Sequence, residues 1–101
     1  MISFKGFKEL LKQYENLPDV GWLYICHSFN LSSQNDITNG SYFLAENEDE
    51  EIYLEENLGT FLEVPIFKAI IENTIKCSPK LENNDYLEAV RYYLENDDFQ
   101  Y

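Results

Sequence analysis

The sequence is short of the side chains on which most protein chemistry depends. Its 101 residues contain one histidine, two cysteines, four glycines and three prolines. A single imidazole leaves no room for histidine-rich catalytic or zinc constellations. His27 also follows Cys26 directly in a stretch that reads as a strand, where neighbouring side chains leave on opposite faces, so the two do not form a thiol–imidazole pair. Cys26 and Cys77 stand far apart with no repeated spacing, which argues against both a disulfide framework and a zinc site. No glycine-rich phosphate loop occurs. The opening MISFKGFKELLKQ spreads its lysines at helical spacing and has no apolar run of the length that a secretory signal or membrane span requires, so the expected location is the cytoplasm.

Basic charge is the most unevenly distributed shortage. Seven lysines and arginines face nineteen acids, a net charge of -12, and from Gln13 to Phe67 there is no lysine or arginine at all while eleven of those nineteen acids fall there. Such a balance excludes nucleic acid and anionic membrane as natural partners. Interspersed bases normally relieve like-charge repulsion on a solvated surface; their absence points to a cationic partner, with solubility as the plainer alternative.

What is present suits one folded domain, residues 1–101. Hydrophobic residues make up 45% and aromatics 16% of the chain, enough to offset the entropy of ordering it. From Ser3 to about Glu15, Phe4, Phe7, Leu10, Leu11 and Tyr14 recur at helical intervals, predicting a helix capped by Ser3 and ended by Leu17-Pro18-Asp19, with Gly6 weakening its first turns. GWLYICHSF reads as a central strand, apolar on both faces. NLSSQNDITNGS (30–41) reads as a loop whose Asn39-Gly40 turns the chain into a strand at 41–45. The acidic run AENEDEEIYLEEN (45–57) then splits into a turn at Asn47-Glu48-Asp49 and a second hairpin strand, with Ile52 and Leu54 inward and Glu51, Tyr53 and Glu55 outward. Phe61 to Val64 reads as a further strand. Pro65 suits the first turn of a helix carrying Phe67, Ile70, Ile71 and Thr74 and stopped by Ser78-Pro79. A last helix follows a cap at Asn83 or Asn84 and fades near Asp97-Asp98. The expected fold class is α+β: a small antiparallel sheet of three to four strands, an N-terminal helix and two C-terminal helices, the helices packed on one face.

No chemical constellation emerges from this organisation. Asn35, Asn39, Gly40 and Glu46 fall on four positions of a calcium loop, but Ile37 occupies a ligand position and the flanks read as strands. The expectation is a protein without catalytic residues, cofactor or metal. Candidate partner-binding residues form two patches: Glu51, Tyr53 and Glu55 on the outer face of the predicted hairpin, and Asp85, Glu88, Tyr92 and Glu95 at offsets that put them on one face of the last helix, opposite its apolar stripe. Each patch sets a tyrosine among carboxylates, the combination of aromatic anchor and steering charge that interfaces use.

The tail LEAVRYYLENDDF, residues 87–99, carries an A-x-x-Y-Y-x-x-x-D-x-F pattern that resembles the ending of small bacterial proteins of an uncharacterised-domain family. Size, acidity and α+β order together resemble the immunity proteins of contact-dependent growth inhibition and related polymorphic-toxin systems. That resemblance implies a cytoplasmic protein that binds the toxic domain of a delivered effector and blocks its active site, the charge favouring a basic nuclease. The alternative is a small acidic adaptor or regulatory domain that docks on a basic cellular protein.

Overall fold

Every apolar stripe predicted from the sequence has to find cover, and the computed structural model, which describes residues 1–77 and 83–98, shows how. The elements run β1 (Ile2–Lys5), α1 (Phe7–Lys12), a short 3-10 turn (Tyr14–Asn16), β2 (Trp22–Ile25), α2 (Gln34–Asn39), β3 (Ser41–Leu44), α3 (Glu48–Asn57), β4 (Gly59–Glu63), α4 (Val64–Cys77) and α5 (Asn83–Asn96). The four strands form one sheet in the order β1-β3-β2-β4, antiparallel at each pairing. The fold is α+β.

Strand alternation decides which side chains meet. Phe4, Leu23, Ile25, Tyr42 and Leu44 leave the sheet on one side and join Phe7, Leu10, Phe67, Ile70, Ile71, Leu87 and Val90 of the helices in a single core. Aromatic rings close one end of it: Phe29 and Phe61 both pack edge-on against Tyr42, with ring centroids 5.7 and 4.9 Å away. The Tyr42 hydroxyl donates to the Ile37 carbonyl at 2.5 Å, so a fully buried phenol ties α2 to β3. Burial holds its pKa far above the ordinary tyrosine range.

β2 lies inside the sheet, and β3, β4, α4 and α5 stand where the sequence places them. Three local expectations are corrected. The N-terminal helix from Ser3 to Glu15 is divided: Ile2–Lys5 pairs with Leu44–Ser41 as a strand, and Gly6, at φ +90°, turns the chain into a short helix that Ser3 does not cap. Phe4, Phe7 and Leu10 are buried under either reading, which is why their spacing did not distinguish a continuous helix from a strand and a helix. The polar 30–41 segment contains α2, whose N-cap Ser33 accepts from the Asp36 N–H at 3.2 Å, and Gly40 closes that helix instead of turning a hairpin.

The third correction matters most. Residues 48–57, read as a turn and an outer strand, form helix α3, so there is no hairpin between 41–45 and 51–55. Nor do all helices share one face of the sheet. Tyr24 alternates away from Leu23 and Ile25, is fully buried, and stands outside the main core, with Glu51 and Glu55 of α3 beside its hydroxyl. α3 therefore covers the second face. The stop predicted at Ser78-Pro79 lies outside the described residues, and α5 begins at Asn83, the first residue described after them. Among the described residues no helix is long and apolar enough to cross a membrane.

A Cβ on Gly40 would come within 2.5 Å of both the Asp36 carbonyl oxygen and the Phe29 ring. Neither neighbour can give way, because one is helix backbone and the other is packed against Tyr42 and Phe61. Gly40→Ala should therefore destabilise the fold by about 1–3 kcal/mol, read as a lower urea midpoint at unchanged m-value.

Candidate functional site

The region around α3 is built mainly from its N-terminal end. Asn47 caps the helix, its side-chain oxygen accepting from the Glu50 N–H at 2.9 Å, and Glu50 in turn accepts from the Glu46 N–H at 2.9 Å. Glu48, Asp49, Glu50 and Glu51 occupy the first turn, where the helix dipole favours negative charge. The Met1 ammonium donates to Glu46 at 2.7 Å and to Glu50 at 2.6 Å, fastening the start of β1 to this end. Those hydrogen bonds, the one to Glu46 foremost, raise the ammonium pKa; the same ammonium, followed by the Glu46 N–H, holds the Glu50 carboxyl below the usual glutamate range.

α3 has little to hold it down besides these caps. Leu54 is its one buried side chain, while Ile52 and Tyr53 are 49% and 55% exposed. Glu51 and Glu55 are one turn apart on the side that meets Tyr24. Tyr53 stands about 200° around the axis from Glu51, so the predicted grouping of Glu51, Tyr53 and Glu55 on one face, which required a strand, does not form.

Between α3 and the approach to β2 lies a cleft of about 510 Å³. Pro18, Val20, Gly21 and Trp22 line it from the β2 side, and Glu46, Glu48 and Glu51 bring carboxylates from the other. Val20 is 75% and Trp22 37% exposed, so its apolar side is open to a partner. Tyr24 also lines the cleft, and its buried hydroxyl makes no hydrogen bond of normal geometry, Glu55 standing near enough for only a marginal one. Burial first, then the negative charge of Glu55 and Glu51, raise the pKa of this phenol. Most buried polar groups are paired, so an orphaned hydroxyl beside two carboxylates is a local cost that the fold tolerates.

The second predicted patch keeps its helical geometry. Asp85, Glu88, Tyr92 and Glu95 lie on α5, with Tyr92 39% exposed. Glu88 pairs with Arg91 at 3.4 Å, and Arg91 also reaches Gln34 of α2 at 3.3 Å, so this patch carries a cation of its own. α5 packs into the main core while α3 covers the other face, so the structure does not merge the two patches. Tyr24, Trp22, Glu46 and Glu48 were not among the residues picked from the sequence. The Asn47-x-x-Glu50 spacing, a capping-box pattern, was the available signal for α3 and hence for the cleft. Cys26 and Cys77 are free and exposed, and among the described residues no group of three His, Cys, Asp or Glu side chains is placed to hold a metal ion.

The chain belongs to a family described as a domain of unknown function (DUF7716), whose profile matches residues 5–100. No curated protein and no solved structure matches it.

The two buried tyrosines should respond oppositely to loss of the hydroxyl. Tyr42→Phe leaves the Ile37 carbonyl without its donor and should cost about 1–3 kcal/mol, whereas Tyr24→Phe removes an unpaired group and should be neutral or stabilising by up to about 1 kcal/mol. Parallel urea denaturation of the two variants measures the contrast.

Proposed function

We propose that this protein is a non-enzymatic, cytoplasmic immunity protein that binds and neutralises a basic toxin domain, a nuclease being the activity its charge opposes. The observation that carries this reading is the composition of α3. Glu48, Asp49, Glu50, Glu51, Glu55 and Glu56 crowd a ten-residue helix that buries one leucine. A helix so poor in core contacts and so rich in like charge adds little to folding stability, and its outward surface is its main product. Three of the four strands and both helices between them come from the stretch without a single lysine or arginine, so the acidic surface is continuous in sequence around α3.

The mechanism needs no chemistry from the inhibitor. Carboxylates attract the cationic groove with which a nuclease holds phosphates, accelerating encounter, and then occupy it in place of substrate. Tyr53 on α3 and Tyr92 on α5, both exposed, are the side chains suited to anchoring and to slowing release. Because they lie on different layers, a partner engaging both has to wrap an edge of the domain; one engaging α3 alone meets Tyr53 on one side of the helix or Glu51 and Glu55 on the other.

Co-expression with the product of the neighbouring gene is the decisive measurement. Growth rescue and co-purification support the immunity reading; a harmless neighbour, with capture of an endogenous basic protein, would replace it with the adaptor reading. With the cognate partner in hand, the on-rate should fall at least about tenfold between low and high salt. Tyr53→Ala or Tyr92→Ala should weaken the complex by about 2 kcal/mol or more.

A further inference from the structure

We propose that the cleft between α3 and the approach to β2 is a receptor for one arginine side chain projecting from the partner, an inference that rests on the reading of this chain as a binder of a basic domain. Four features of the cleft point to that occupant. Glu46, Glu48 and Glu51 line it, and their carboxylates outweigh the fractional positive charge of about +0.5 at the N-terminus of α3. Its ligand is thus a cation.

The opposite side of the cleft is apolar. Pro18, Val20 and Trp22 line it, and the last two are exposed. An occupant with an aliphatic stem and a charged head satisfies both sides at once, which describes a lysine or arginine side chain. The exposed indole favours the planar guanidinium, which stacks on aromatic faces and is weakly hydrated compared with an ammonium.

The third feature is Tyr24. This side chain is fully buried, lines the cleft and has no partner for its hydroxyl. An orphaned hydroxyl is a standing cost to the fold, and a fork of N–H donors that, once α3 gives way to admit it, reaches the phenol oxygen as well as a neighbouring carboxylate removes that cost on binding. The acceptors come from both β2 and α3, and the guanidinium brings five donors in a fixed plane against the three of an ammonium.

Fourth, the carboxylates at this end of α3 already hold a cation. The Met1 ammonium donates to Glu46 and Glu50 from just outside the cleft, which leaves Glu48 and Glu51 for the incoming group.

Trp22 is the only tryptophan of the chain, so its fluorescence reports on the cleft directly. The experiment titrates the whole protein at about 0.15 M salt, where surface charge is largely screened, with a blocked Gly-Arg-Gly peptide, its lysine counterpart and its citrulline counterpart. A saturable change is expected with the arginine peptide at a dissociation constant on the order of millimolar, at least about threefold weaker with lysine and absent with citrulline. Glu51→Gln should weaken it about fivefold or more, and Tyr24→Phe about threefold while the protein stays folded; Glu72→Gln on α4, which removes the same net charge elsewhere, should leave it within about 1.5-fold. No saturable change, an equal response to citrulline or lysine, or equal weakening by Glu51→Gln and Glu72→Gln would overturn the proposal. These readouts need no toxin, so failure here with rescue in co-expression removes the arginine receptor alone. Saturation here without rescue leaves the receptor and removes the immunity reading.

Discussion

An interior strand that is apolar on both sides has to be covered twice, and the rest of this structure follows from how the two sides of β2 are treated. Leu23 and Ile25 face the thick side, where α1, α2, α4 and α5 supply a continuous core. Tyr24 faces the other way, and α3 meets it with one buried leucine and a row of carboxylates. The first side carries stability, as aliphatic and aromatic side chains pack there, among the described residues, without orphaned polar side chains. The second side is thin, acidic and incompletely satisfied.

That asymmetry sets a well-packed side against an exposed, charged one within a small domain. α3 is held by its caps, by Leu54 and by the Met1 ammonium more than by a broad apolar face. Its charge therefore remains at the surface, and the cleft beside it keeps an unpaired phenol and an exposed tryptophan. Sites that depart from full polar satisfaction are where local stability has been given up, and such departures collect where binding takes place. The proposed partner would complete what the fold leaves open: countercharge for Glu48 and Glu51, and a hydrogen bond for Tyr24.

Much of the architecture was legible because it depends on local pattern. The run at 21–29 reads as an interior strand and holds β2 at Trp22–Ile25, and the stripe from Phe67 to Thr74 after Pro65 reads as a helix with one buried face, which α4 is. The failures have a common physical origin. Ile52 and Leu54 alternate like a strand pair, yet Ile52 is half exposed, so the alternation was chance and the capping residues Asn47 and Glu50 were the stronger signal. At the N-terminus, Phe4, Phe7 and Leu10 fit a helical stripe, but Gly6 breaks it with a positive φ that allows Phe4 to point into the core from a strand. Of the candidate site, Glu51 and Glu55 were recognised for their charge and Tyr53 for its exposure; Tyr24, Trp22 and the cleft were not, since a strand residue announces burial but not what lies above it.

Sequence alone determined the charge of the surface, the lack of a histidine or cysteine constellation, and the strand or helix character of β2, β3, β4, α4 and α5, all of which follow from composition and from periodicities a few residues long. Only the tertiary structure decided that β3 sits between β1 and β2, that α3 crosses to the second face, and that Glu51 therefore stands beside Tyr24 and Trp22. Those contacts join residues nineteen or more positions apart, and they depend on which surface each element must cover once the others are in place. Local propensity cannot encode that choice, because the same helix satisfies its own backbone equally well on either side of the sheet.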